Sequence, residues 1–549
     1  MTKITLLAFV IPFFLCCTKE TDNDTTDGRT APLLEGMGSH HHSISTDVDL
    51  AQRFFDQGLI LSYGFNHKEA ERSFREAARL DSNCAMAYWG VALVLGPNIN
   101  GSMDPEDAPK AYEALEKAIH LAPDVTEKEQ GYIQALSTRY QPQALDDRSE
   151  LDKAYANAMR ELHQRYPDDM DAAALTAEAL MDLHPWDYWE KSGKAKPWTP
   201  EILKVLEYAM ERNPHHPGAN HFYIHAVEAS KSPDRGLPSA ERLGDVVPGA
   251  GHLVHMPSHI YIRVGKYHEG SLANERAIKS DDSYVTQCRA QGIYPLAYVP
   301  HNHHFLWATA TLEGASEKAI AAAKSTSAKV DTAMMRQPGL GTLQHFLVIP
   351  LYAYVRFGKW AEILAYSKPA DDLVYPQGVW HYARGIAFAR TGRFEEAEQE
   401  LNLVRKISVN PALNDITIWD INRTDQLMEI AANALAGELA AAQRNYEKAI
   451  KHLQAAVTIE DRLTYNEPPD WFFPVRHSLG AVLIEAGRPA DAELVYRADL
   501  ETFPENGWSL FGLKKSLELQ NKKTEVEQVE ARLEKAWAWS DIQLAASRL

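Results

Sequence analysis

From Asp49 onward, apolar residues recur with a helical period, and small residues punctuate that pattern at fixed intervals. Between Ala51 and Cys84 the small positions are Gly58, Ala70 and Ala77, with the aromatic Phe74 among them. The phasing returns in Trp380 to Val404 (Gly385, Gly392, Ala397, Leu401) and in Ile430 to Ile459 (Gly437, Ala449, Leu453, Ala456). It returns again in Phe473 to Pro504, with Gly480, Gly487, Ala492 and Tyr496, and opens once more at Trp508 and Gly512. Two antiparallel helices need small residues where they cross and a bulky one to fill the gap beside the crossing. The pattern therefore predicts a succession of helix-turn-helix units. Insertions at Pro97-Asn-Ile-Asn-Gly101 and in the Trp-rich His184-Pro-Trp-Asp-Tyr-Trp189 interrupt it between Gly96 and Pro200. No run of alternating β-branched residues is long enough to predict a sheet.

These spacings resemble the tetratricopeptide repeat, which implies an all-α fold, an α-solenoid of stacked helix pairs. Longer motifs carry a second resemblance. They are Phe54-Phe-Asp-Gln-Gly-Leu59, Tyr63-Gly-Phe-Asn-His-Lys-Glu-Ala70, Pro217-Gly-Ala-Asn-His-Phe-Tyr-Ile-His-Ala-Val-Glu228, His255-Met-Pro-Ser-His-Ile-Tyr261 and Glu467-Pro-Pro-Asp-Trp471. Together they resemble a large family of bacterial tetratricopeptide-repeat proteins, many of them exported. That resemblance implies the solenoid and no particular reaction. It divides the body into an N-terminal helical region with insertions (49–250), histidine-rich repeats (251–377) and C-terminal repeats (378–549).

The first residues read differently. Lys3 precedes an apolar run from Ile4 to Leu15, too short to span a bilayer and suited to a signal peptide over 1–16. The run ends in Phe14-Leu15-Cys16-Cys17 and resembles a bacterial lipoprotein signal, which implies lipidation of Cys17. Phe14 and Cys16 depart from the leucine and small positions of that signal, so Cys16 stays open as the acceptor. Cys17-Thr-Lys-Glu20 resembles the export signal of surface-exposed lipoproteins of the Bacteroidetes, implying an outer-membrane protein held by its lipid alone. Residues 17–48 are polar and read as a linker. Gly36-Met-Gly-Ser-His-His-His42 inside it resembles a tag remnant but runs on smoothly, and is read as native. A net charge of −19 leaves no basic surplus to neutralise phosphates, which speaks against nonspecific nucleic-acid binding. Only Cys84 and Cys288 lie in the body, too few for a disulfide framework or a cysteine-ligated zinc.

Seven of the 22 histidines fall between Gly251 and His304. A scaffold that only stacks helices needs no imidazoles there, so the clustering marks a site. Gly265, Gly314 and Gly358 fix the repeat register without using the histidines. In that register His252, His255 and His259 share one helix face with Arg263. His301 and His304 follow in the next unit, then His345 and Arg356 in the one after. All eight are expected on the concave groove, while His268 and His303 point elsewhere. His221, His225 and Glu228 share a face of the preceding helix and offer a fourth wall.

Two readings follow. In the first, the groove binds a protein or peptide partner, with Arg263 and Arg356 clamping a carboxylate. In the second, His225, Glu228, His255, His259, His301 and His304 bind a transition metal such as Zn, Cu or Fe, with or without catalysis. Neither a His-Glu-x-x-His motif nor a nucleophile elbow or P-loop is present, so no reaction is assigned and the catalytic residues stay unknown.

Overall fold

The computed structural model describes residues 28–288, 294–471 and 474–549. The expected signal peptide and Cys17 lie outside the described residues. The body is helical almost throughout, and each helix packs mainly on its sequence neighbours. Short turns make consecutive helices antiparallel, so the pairs stack as a solenoid. The first pair shows how the sequence specifies this. Asp49–Tyr63 lies on His67–Leu80, and the ring of Phe74 fills the crossing. A Cβ on Gly58, or on Gly90 of the next helix, would come within 2.7 or 2.4 Å of that ring. Tyr496 fills the corresponding gap against Gly480 and Gly512. Gly265, Gly314 and Gly358 close their helices at φ of 78°, 80° and 63°, a left-handed backbone that a Cβ disfavours.

The solenoid curls far enough for distant repeats to touch. Trp508 donates its indole N–H to the Thr311 carbonyl at 2.9 Å, and the Tyr267 hydroxyl donates to the Pro504 carbonyl at 2.7 Å. Asp541 accepts the backbone N–H groups of Ser316 and Glu317 at 2.7 and 2.9 Å. One hydrophobic core runs from Ala31 to Val299 and a second from Ile262 to Val529. The histidine-rich units thus sit where the two cores meet.

Three features depart from the sequence expectation. First, residues 28–48 do not behave as a free linker: they lie along the N-terminal repeats. Asp171 anchors them, accepting from His42 Nδ1 at 2.7 Å and His40 Nε2 at 2.9 Å. The same carboxylate takes the Tyr63 hydroxyl at 2.6 Å and His216 Nε2 at 3.1 Å. Second, a short antiparallel ribbon pairs Thr417–Ile418 with Asn422–Arg423. Third, the first helix of the histidine-rich repeat is broken into Gly251–His255 and Pro257–Arg263, because Pro257 has no N–H to continue the ladder.

Candidate metal centre

Three helices carry the site: Pro217–Glu228, the broken pair Gly251–His255 and Pro257–Arg263, and Val299–Glu313. The first begins at Pro217, whose fixed φ suits a helix start. His216 caps it, with Nδ1 accepting from the Ala219 N–H at 3.1 Å. One turn of π-helix, Tyr294–Tyr298, leads into the third.

His225, Glu228, His252, His259 and His301 border a cavity of about 840 Å³. Its other walls come from the insertions and from the far arm of the solenoid. They include Asn98 and Asn100, Trp186, Trp419 of the β-ribbon, and Tyr465 with Glu467. His255 and His221 lie directly behind. None of the six histidines is more than 7% exposed, and Glu228 is fully buried.

Hydrogen bonds fix which ring nitrogen carries the proton. The two oxygens of Glu228 accept from His225 Nδ1 at 2.7 Å and from His259 Nδ1 at 2.6 Å. His255 Nδ1 faces Asn274 Oδ1 at 2.7 Å, and the Asn274 amide is oriented by donating to the Gly270 carbonyl at 2.7 Å. His221 Nδ1 donates to the Tyr63 carbonyl at 2.5 Å. Four imidazoles therefore hold their protons on Nδ1 and turn Nε2 lone pairs inward. His255 Nε2 and His259 Nε2 stand 2.9 Å apart. Neutral rings in these tautomers have no proton between them.

Burial, reinforced by neighbouring imidazoles, holds the His221, His252, His255 and His301 rings well below the usual histidine range. Burial pushes the Glu228 carboxyl up, but the imidazoles of His259 and His225 outweigh it and hold it below the usual carboxylate range. Burial raises Glu467 at the cavity wall to about 8, against the opposing charge of Arg263.

Three aromatic residues press on the histidines from left-handed backbone positions. Phe65 has φ 54° and touches His221, His225 and His252; Trp186 (φ 60°) meets His225 edge-on; Trp419 (φ 53°) meets His301 edge-on. Bulky residues adopt this conformation at a cost, and such strain concentrates at functional sites.

Other expected site residues are placed elsewhere. His304 turns away from the cavity and stacks on Trp307, beside His345. His345 Nδ1 pairs with the Tyr375 hydroxyl at 2.8 Å. Arg356 is buried over the Trp508 ring and bonds His477 Nδ1 at 2.8 Å, so it lines no groove. Arg263 donates to the Glu228 carbonyl at 2.7 Å and lies over the Tyr465 ring. Glu228 borders the cavity with its two oxygens on His225 and His259, and with those two rings it forms a further set whose donor atoms lie within 4.8 Å of one another. His268 pairs with Glu313 and stacks on Trp539, away from the cavity; His303 also lies outside it. Asn98 and Asn100, from the insertion at Pro97 to Gly101, are cavity walls, and Asn100 donates to the Tyr298 hydroxyl at 2.9 Å.

No protein-family model matches the chain, and no curated protein matches it in sequence. Among solved structures, the chain is similar to a human IFIT1 dimer with m7Gppp-AAAA, at 12% identity and a TM-score of 0.31, covering 90% of this chain and 91% of that one. It is similar to Cut9 in the APC/C hetero-tetramer Cut9-Hcn1, at 12% identity and a TM-score of 0.32, covering 90% and 78%. Likenesses at this level carry no argument; the fold rests on the helix pairs themselves.

Proposed function

We propose that this helical-repeat protein binds a divalent transition metal on His255, His259 and His301 and presents it to a small ligand in the adjoining cavity. The observation that carries the reading is the 2.9 Å approach of two inward lone pairs, His255 Nε2 and His259 Nε2, in a buried site. A proton there would bring a cation into a desolvated place; a metal ion satisfies both nitrogens at once. The pinned Nδ1–H groups supply the outer hydrogen bonds that orient metal-binding imidazoles. Donor atoms of the three rings lie within 4.8 Å of one another. Three nitrogens leave a position open toward the cavity for water or ligand. A metal bound there would act as a Lewis acid and lower the pKa of attached water. Glu467, raised to about 8, would offer a proton at neutral pH.

A helical-repeat fold suits binding of a protein or ligand, but rings this deeply buried favour a metal over the surface of an extended peptide. Metal analysis of the mature chain, purified without a tag, tests the reading. Transition metal should co-purify, or bind tightly after stripping, and His255→Ala/His259→Ala should lose the ion held by those rings. A stripped wild-type protein that takes up no Zn(II), Cu(II) or Co(II) would overturn it.

A further inference from the structure

We infer that the centre holds two metal ions, the second on His221, His225 and His252, with Glu228 joining the two ligand sets. This rests on the reading above and extends it to residues that reading does not use. The donor atoms of the second set also lie within 4.8 Å of one another. His221 Nε2 and His252 Nε2 are 3.2 Å apart. Two nitrogens at about 2.0 Å from one tetrahedral ion are separated by about 3.3 Å, so this pair is already close to a ligand edge.

The ring nitrogen left over points the same way. His225 Nε2 is buried and meets no hydrogen-bond partner. Buried polar atoms in native proteins are nearly always satisfied, so this one needs an explanation. His221 and His225 both hold their protons on Nδ1, against the Tyr63 carbonyl and the Glu228 carboxylate. That leaves two lone pairs on one helix face, four residues apart, opposite His252.

Glu228 makes the two sets one unit. One of its oxygens holds His225, of the second set, and the other holds His259, of the first. The two rings lie 5.5 Å apart between centroids. His252 and His255, one from each set, are 5.9 Å apart. Neighbouring ligand sets at this spacing suit a two-metal site, in which one ligand is gripped from two sides.

The test is ion stoichiometry in the full chain. Stripped wild-type protein titrated with Cu(II) or Zn(II) should take up two tight equivalents. His221→Asn/His252→Asn should keep one, and His255→Ala/His259→Ala should lose the other. One equivalent in the wild type, unchanged by His221→Asn/His252→Asn, overturns the second site and leaves the first reading standing; none overturns both. Because His221 is buried, replacing it also disturbs packing, and the unmodified protein gives an independent readout. Loaded with two equivalents of Cu(II), it should show copper–copper dipolar coupling by electron paramagnetic resonance. A spectrum of isolated copper at full loading overturns the pairing.

Discussion

Both oxygens of Glu228 are engaged by imidazole N–H groups, so its ionised form sets the tautomer of two rings. Glu228→Gln keeps the volume but replaces one acceptor with a donor, which forces His225 or His259 to carry its proton on Nε2 and gives up that lone pair. The variant should stay folded and bind metal roughly 10- to 100-fold more weakly, the usual effect of losing an outer-shell partner. Isothermal titration with Zn(II) measures it, and unchanged affinity would remove Glu228 from the centre. At this scale the sequence was partly legible. The offsets between His252, His255 and His259, and the shared face of His221, His225 and Glu228, drew attention to the rings. Which nitrogen faces inward depends on Tyr63, Asn274 and Glu228, and no local spacing reports that. His304 shows the same limit. Three residues turn a helix by about 300°, so His301 and His304 diverge by about 60°. His301 meets His255 while His304 meets His345 on the next unit.

The helix pairs were legible because their period and their small residues repeat, whereas the elements that finish the site repeat nothing. The ribbon at Thr417–Ile418 and Asn422–Arg423 is too short to show an alternation, yet it delivers Trp419 to His301. The segment from Gly28 to Val48 has the composition of a linker, and its docking rests on acceptors scattered along the chain: Glu76 for Thr30, Asp56 for His42, Glu129 for Ser45, and Asp171, more than a hundred residues away, for His40 and His42. Asp171 receives four hydrogen bonds there, two of them from that segment. Asp171→Asn should loosen the His40–His42 stretch and cost roughly 3 kcal/mol, as expected for weakening hydrogen bonds to a buried charge. Limited proteolysis should then cut near His40 to His42 before the repeats are attacked. Equal resistance in wild type and variant would show that the segment is held by something else.

The whole molecule carries many imidazoles in places that disfavour charge. Burial holds His345 down to about 3; burial, with the charges of Arg139 and Lys68, holds His67 down to about 4. In the unfolded chain both return to about 6.5. Between those values the unfolded state binds more protons, so stability rises with pH and is lost on acidification below about 6.5. Each group contributes a slope approaching 1.4 kcal/mol per pH unit in its window. Urea midpoints of metal-free protein at pH 7 and pH 5 measure this, and equal midpoints would contradict it. The docked N-terminal segment has a separate consequence for reach. Were residues 17–48 a free tether, a lipid on Cys17 would let the body range about 115 Å from a membrane. With the chain pinned from Gly28, the same lipid would leave at most about 40 Å of slack. If Cys17 carries a lipid, the docked segment would keep the repeats within that distance of the bilayer surface.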